Sequence, residues 1–165
     1  MIAYYYLCSQ IMMLELHNVT IGEQIRSLSI TLSDGQIVNI TGQKGSGKTT
    51  LLRALLGFIS VDRGHISIDG ELLTPLSAPY FRRQMAYVPQ HLSLPEGYHG
   101  VPTDYLQLLR KAVESGKTLL IVDEPSKQLS EEEMQTVDSM LMEAVQRGAM
   151  VVAVNSRFQQ NQVSL

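Results

Sequence analysis

Hydrophobic and polar positions alternate along residues 14–19 and again along 26–32, which predicts two strands with one face buried and the other wet. Asp34-Gly35 signals a turn, and residues 36–41 form the next strand, with Ile37, Val38 and Ile40 apolar. A glycine-rich loop opens at Gly42 and leads into a helix over 48–56, which Gly57 ends. Residues 65–68 and 71–73 flank Asp69-Gly70 as a hairpin, and 85–88 form a short strand closed by Pro89. Pro95, Gly97, Gly100 and Pro102 make 91–102 a loop, followed by a helix over 104–114 with Leu106, Leu109 and Val113 on one face. Residues 118–122 are continuously apolar, the pattern of a strand covered on both sides. Ser130 caps a long helix, with Glu133 completing a capping box and Glu131 to Glu133 complementing the helix dipole. Met134, Val137, Leu141 and Val145 form its expected inward stripe, the methionines as core filler. Gly148 ends that helix, and 149–154 is another buried strand. Strands alternating with helices predict an α/β fold with a mainly parallel sheet and an antiparallel hairpin region near the N-terminus.

Length and composition narrow this further. A chain of 165 residues, 44% hydrophobic, has material for one domain with its own core and too much apolar content for disorder. The longest apolar run, residues 1–8, is far short of the roughly 20 residues a membrane helix needs. One cysteine, Cys8, makes no disulfide framework and fits a reducing, cytoplasmic setting. A net charge of −3 argues against nucleic acid as a partner. Residues 1–12 lack a basic start and a small-residue cleavage pattern, so they read as a poorly defined leader, with 13–165 as a single domain.

The sharpest chemical signal is Gly42-Gln43-Lys44-Gly45-Ser46-Gly47-Lys48-Thr49, which matches G-x-x-x-x-G-K-[ST] at every fixed position and is followed by Thr50. A polyphosphate needs a concave set of backbone N–H groups, and glycines at 42, 45 and 47 permit that curvature without blocking the approach. The loop follows a strand and opens a helix, so the positive end of the helix dipole faces the anion. Lys48 would neutralise the β and γ phosphates, and the Thr49 hydroxyl would ligate Mg²⁺. Lys44 is expected to be solvated. The apolar strand at 118–122 ends in Asp123-Glu124. A strand-tip acid beside a phosphate loop can hold Mg²⁺ through water, the role expected of Asp123, while Glu124 is placed to orient or deprotonate an attacking water.

The order of phosphate loop, Tyr87-Val88-Pro89-Gln90 and Leu119 to Pro125 resembles the nucleotide-binding domain of ATP-binding cassette (ABC) transporters. Leu14-Glu15-Leu16-His17-Asn18-Val19, Ser33-Asp34-Gly35-Gln36-Ile37-Val38, the run from Thr49 to Gly57 and Gly64-His65-Ile66-Ser67-Ile68-Asp69-Gly70 extend the similarity, so it covers about residues 13–156. The resemblance implies a three-layer P-loop NTPase fold, ATP and Mg²⁺ as ligands, and a transmembrane transporter subunit as partner. It also implies pairing with a second nucleotide-binding domain, as a homodimer or heterodimer, and a peripheral position at the inner face of the membrane. It assigns Gln90 to Mg²⁺, the attacking water and the link to the membrane partner. Lys48, Gln90 and Glu124 are then the expected catalytic residues, and Thr49, Gln90 and Asp123 the expected metal ligands.

The departures from the family pattern bear on mechanism. Gln90 and Asp123 stand only 33 positions apart, too few for the family's helical subdomain with its Leu-Ser-Gly-Gly-Gln signature. The equivalent place, His99-Gly100-Val101-Pro102-Thr103, keeps one glycine and no serine. Ser156 stands where the family carries its switch histidine, and Ser130 where it carries an interface aspartate. Thr20-Ile21-Gly22 lacks the aromatic that stacks on adenine, and the family's last elements are not expected after Ser156. His17, His65, His91 and His99 read as surface or loop residues that do not replace the switch. Three readings stand side by side: a transporter-associated ATPase with weak or partner-dependent turnover, a nucleotide-dependent interaction module without hydrolysis, and a small P-loop kinase.

Overall fold

A computed structural model of the chain describes residues 12–90, 104–123, 129–159 and 161–165. The expectations for the leader at 1–11, the loop from His91 to Thr103 with its signature remnant, and Glu124 with Pro125 to Gln128 fall outside these residues.

Strands β1 (Met13–Ile21) and β2 (Ile25–Ser33) pair antiparallel, closed by a short turn from Ile21 to Ile25. Strand β4 (Arg63–Ile68) adds to the other edge of β1, and β5 (Glu71–Leu72) adds to β4, giving the order β2-β1-β4-β5. The β4–β5 hairpin turns on Asp69 and Gly70, both at positive φ (53° and 78°), as the Asp-Gly pair predicts. His17 and His65 face each other across β1 and β4, exposed, with rings stacked at 5.2 Å.

The second sheet holds β3 (Ile37–Thr41), β6 (Met85–Val88), β7 (Leu119–Val122), β8 (Met150–Val154) and β9 (Gln162–Ser164), all parallel, in the order β6-β7-β8-β3-β9. Helix α1 (Lys48–Leu55) follows β3, the short α2 (Ala78–Phe81) precedes β6, and α3 (Tyr105–Glu114) and α4 (Glu131–Gln146) flank β7 in sequence.

The continuous apolar run of β7 has a direct physical cause. Its even and odd positions serve two cores: Leu119 and Ile121 pack with α1 and the antiparallel sheet, Leu120 and Val122 with α3 and α4. Strand β8 divides in the same way, with Met150, Val152 and Val154 on the first side and Val151 and Ala153 on the second. A sheet covered on both faces needs apolar residues at every position, and the result is three layers.

Three details differ from expectation. The buried positions of α4 are Val137, Met140, Leu141 and Ala144, while Met134 and Val145 at the ends of the predicted stripe are half-buried; the helix turns its inner face slightly to fit α3. Strand β9 was not predicted, because Gln162-Val163-Ser164 carries a single apolar residue and its strand character comes from pairing with β3. Met12, placed in the leader by pattern, is 7% exposed and donates its N–H to the Asp34 carboxylate at 2.9 Å. Ser130 forms the predicted capping box with Glu133, its N–H donating to Oε2 at 2.7 Å and its hydroxyl accepting at 3.2 Å.

Candidate functional site

Parallel strands bring their carboxyl ends to one edge, and the candidate site lies along it. Strand β3 runs out at Thr41 into the glycine-rich loop. Val122 is level with Ala153 and Ile40 with Val154, so Asp123, one residue past Val122, is level with the end of β3 on the far side of β8. Two strand spacings, roughly 10 Å, separate them. Gln90, half-buried, leaves β6 beside Asp123, and Ser156 leaves β8, which lies between β7 and β3. The fold thus assembles Gly42 to Thr50, Gln90, Asp123 and Ser156 on a single edge.

Gly47 caps α1 with φ 101° and no side-chain cap, so the first N–H groups of the helix have no partner supplied from the cap. A Cβ at Gly47 would meet Ile25 Cγ1 at 3.0 Å and Gln24 Cβ at 3.1 Å, so the turn between β1 and β2 leaves no room for a side chain there. The Lys48 ammonium folds over the loop and donates to the carbonyls of Gly42 and Gln43 at 2.7 and 2.6 Å. Ser46 closes a turn onto the Gln43 carbonyl, and its buried hydroxyl has no hydrogen-bond partner. Thr49 is exposed at the helix start, and Lys44 is exposed as expected. A concavity of about 490 Å³ is lined by residues 42–46 together with Ser164 and Leu165.

Those last two residues are a contribution that pattern reading missed. Strand β9 is seated by Leu165 N–H on the Thr41 carbonyl at 2.9 Å, and Asn161 donates to the Ile37 carbonyl at 3.0 Å. Asn39 is a second. Fully buried in the middle of β3, it donates from Nδ2 to the carbonyls of Ser156 and Phe158, both at 2.9 Å, and accepts the Ser156 N–H at 3.0 Å. One side chain therefore fixes the turn after β8 to the strand that carries the loop. The signal was present as a polar residue inside an otherwise apolar strand. Asn39→Ala leaves two carbonyls and one N–H of that turn without their partner, and the expected loss of stability is about 2–3 kcal/mol, measured by chemical denaturation.

Arg157 supplies a cation next to Ser156, but its guanidinium grips Glu131 at the start of α4 in a two-pronged contact of 2.5 and 2.7 Å. That hydrogen bonding pulls the Glu131 carboxyl below its ordinary range and pushes Arg157 up. Nearby Asp138 is shifted upward, chiefly by burial, and its Oδ1 has no hydrogen-bond partner. The Ser156 hydroxyl is likewise buried without a partner.

At the acidic strand tip, Asp123 donates its N–H to the Val88 carbonyl at 2.9 Å and accepts at its own carbonyl from the Tyr105 hydroxyl at 2.9 Å. Burial, then the negative charge of Asp123, raises both phenols, Tyr105 the more strongly.

A phosphate-loop motif opening a helix, set beside an acid two strands away, defines a P-loop nucleotide-binding fold. The family model described as ABC transporter matches residues 25–153, and the chain belongs to that family. It is 42% identical over 84 residues to the Fe(3+) ions import ATP-binding protein FbpC 2 of Pectobacterium atrosepticum, covering 47% of this chain and 24% of that protein. It is 32% identical over 103 residues to the vitamin B12 import ATP-binding protein BtuD of Vibrio atlanticus, covering 54% and 41%. It is 38% identical over 89 residues to the ABC multidrug transporter lscH of Purpureocillium lilacinum, covering 51% and 6%. The chain thus spans less than half the length of these curated relatives. Among solved structures, an ATP-binding subunit of an ABC transporter superposes with a TM-score of 0.76 at 19% identity, over 93% of this chain and 85% of that one. The fold is that of the ABC ATPase domains, as the sequence resemblance implied.

Proposed function

We propose that this chain binds Mg²⁺ and ATP as an ABC-type nucleotide-binding unit and serves a membrane transporter. The observation that carries the reading is the open, uncapped start of α1 under Gly42 to Lys48, level along the sheet edge with Asp123. Backbone N–H groups of residues 42–50 and the Lys48 ammonium would hold the phosphates. The Thr49 hydroxyl, Asp123 and Gln90 would hold Mg²⁺, whose chemistry is to neutralise charge on the β and γ phosphates. The donor set fits that hard cation, being built of oxygens throughout. Glu124 is proposed to act on the attacking water, next in sequence to the acid at the metal.

Hydrolysis in this reading is weak or depends on a partner. Ser156 in place of a switch histidine brings no positive charge, and Arg157 spends its charge on Glu131. Those two observations also favour the second reading, an interaction module whose partner contacts follow nucleotide occupancy. The family match leaves the small-kinase reading without support. The names of the relatives suggest a transmembrane subunit as partner and a site of action at the inner face of the membrane; no helix among the described residues is long and apolar enough to cross a membrane by itself. Pairing with a second nucleotide-binding domain belongs to the same proposal.

Calorimetric titration of the purified chain with ATP in Mg²⁺, together with steady-state phosphate release, tests both parts. The expected result is saturable binding with turnover below about 1 per second, the lower edge of ordinary enzyme rates. Absence of binding overturns the site. Fast Mg²⁺-dependent hydrolysis that disappears in Lys48→Ala overturns the weak-turnover reading.

A further inference from the structure

Histidines are scarce in this chain, four in 165 residues, yet two of them stand side by side on the antiparallel sheet. His17 in β1 and His65 in β4 are direct partners in the ladder, so their side chains leave the same face. Both are exposed, and their ring centroids lie 5.2 Å apart with the ring planes 18° from parallel. An imidazole nitrogen binds Zn²⁺ at about 2.0–2.1 Å, which puts each ring centroid roughly 3.2 Å from the ion. Two such rings at a tetrahedral angle have centroids roughly 5 Å apart. The spacing of His17 and His65 is already that of a coordinated pair. Rotation about their side-chain bonds, which exposure leaves open, turns a nitrogen of each ring onto one point without moving either strand.

We propose that His17 and His65 form a cation site for Zn²⁺ or Cu²⁺, separate from the phosphate loop, that clips β1 to β4 on the solvent face of the antiparallel sheet. Two imidazole nitrogens suit a borderline cation of this kind and not Mg²⁺, which keeps to oxygen ligands. Among the described residues no third imidazole, thiol or carboxylate joins the pair, so water completes the shell. Glu15, two residues back on the regular part of β1 and roughly 7 Å along the strand, shares the face and adds negative charge without ligating. The Asn18 amide lies 3.5 Å from Nδ1 of His17. A half-turn of that amide brings its oxygen to the ring, where it accepts from Nδ1–H and leaves Nε2 to the ion, as outer-shell partners of ligating histidines do. The position also gives the ion something to hold. His17 and His65 are the last regular pair before the register of β1 on β4 shifts between His17 and Thr20.

The test titrates the untagged full chain with Zn²⁺ by calorimetry, for wild type, His17→Gln and His65→Gln, with Mg²⁺ as the control ion. Both positions are exposed, so the variants are expected to fold. The expected result is saturable Zn²⁺ binding that weakens by about tenfold or more in each variant, since the loss of an outer-shell partner alone costs that much. Mg²⁺ is expected to show no difference between wild type and either variant. Traces of Cu²⁺ are expected to broaden the imidazole proton resonances of His17 and His65 together in the wild-type chain. Absence of Zn²⁺ binding in wild type overturns the proposal. So does binding that survives both substitutions, which places the ion elsewhere on the chain, and so does binding lost in one variant only, which marks a single imidazole ligand. If a variant fails to fold, the copper experiment on wild type decides alone: one ring broadened without the other overturns the pairing. ATP binding is expected to be unchanged in both variants, so the fate of this site and that of the nucleotide reading are seen separately.

Discussion

Lys48→Ala is expected to weaken ATP binding by about 30- to 100-fold and to leave the fold in place. The Nζ is anchored on two carbonyls of its own loop, those of Gly42 and Gln43, at 2.7 and 2.6 Å, and these two residues line the concavity. A charge-assisted hydrogen bond contributes about 1.5–3 kcal/mol, and the upper part of that range, about 2–2.7 kcal/mol, corresponds to the stated loss. Removal of the side chain releases carbonyls that water can reach, since Gln43 is exposed and Gly42 half-buried. The cost in stability should therefore stay near 1 kcal/mol. Calorimetric titration with ATP and thermal unfolding of the same preparations separate the two effects. A variant that binds like wild type would show that the ammonium does not meet phosphate.

The largest effect on stability is expected from Gly64→Ala, far from the loop. Gly64 lies in β4 at φ 73°, beside the irregularity in β1 between His17 and Thr20. An added Cβ would sit 2.2 Å from the His17 carbonyl oxygen and 2.4 Å from that of Asn18. Both obstacles are backbone in the neighbouring strand, which cannot move aside without breaking its ladder. Positive φ costs a residue with a side chain about 1–2 kcal/mol, and overpacking adds about 1–3. The expected loss is about 2–5 kcal/mol, or roughly 5–15 °C in a chain of this size. Gly70→Ala is the control: φ is similarly positive at 78°, but nothing lies within 4 Å of its Cβ position, so only the conformational cost remains. Denaturation midpoints that match for the two variants would show that the contact with β1 carries no weight.

The elements legible in the sequence were those whose own residues determine them. The double apolar run of β7, the Asp-Gly hairpin and the capping box on α4 each state their geometry locally. The phosphate loop was legible for the same reason, because its motif is a description of a backbone shape. What escaped was what depends on a distant partner. Strand β9 borrows its regularity from β3. The importance of Asn39 lies in the turn at 156–158 that it clamps, and the tyrosines around Asp123 meet only when β6 pairs with β7 and α3 docks beside them. The inner face of α4 was displaced because the pattern identifies an apolar stripe, while the neighbouring helix selects which part of it is covered.

The pairing pattern also orders events in time. The antiparallel sheet closes among residues of the first half of the chain, whereas β3 waits for strands containing Ala153 and Gln162. Loops that long are slow to close, and synthesis delivers their far ends late. On the ribosome, then, the nascent glycine loop would emerge early yet gain its flanking rails last. Ligand present during translation should be unable to rescue a folding defect in the first sheet, but could hasten the final docking step.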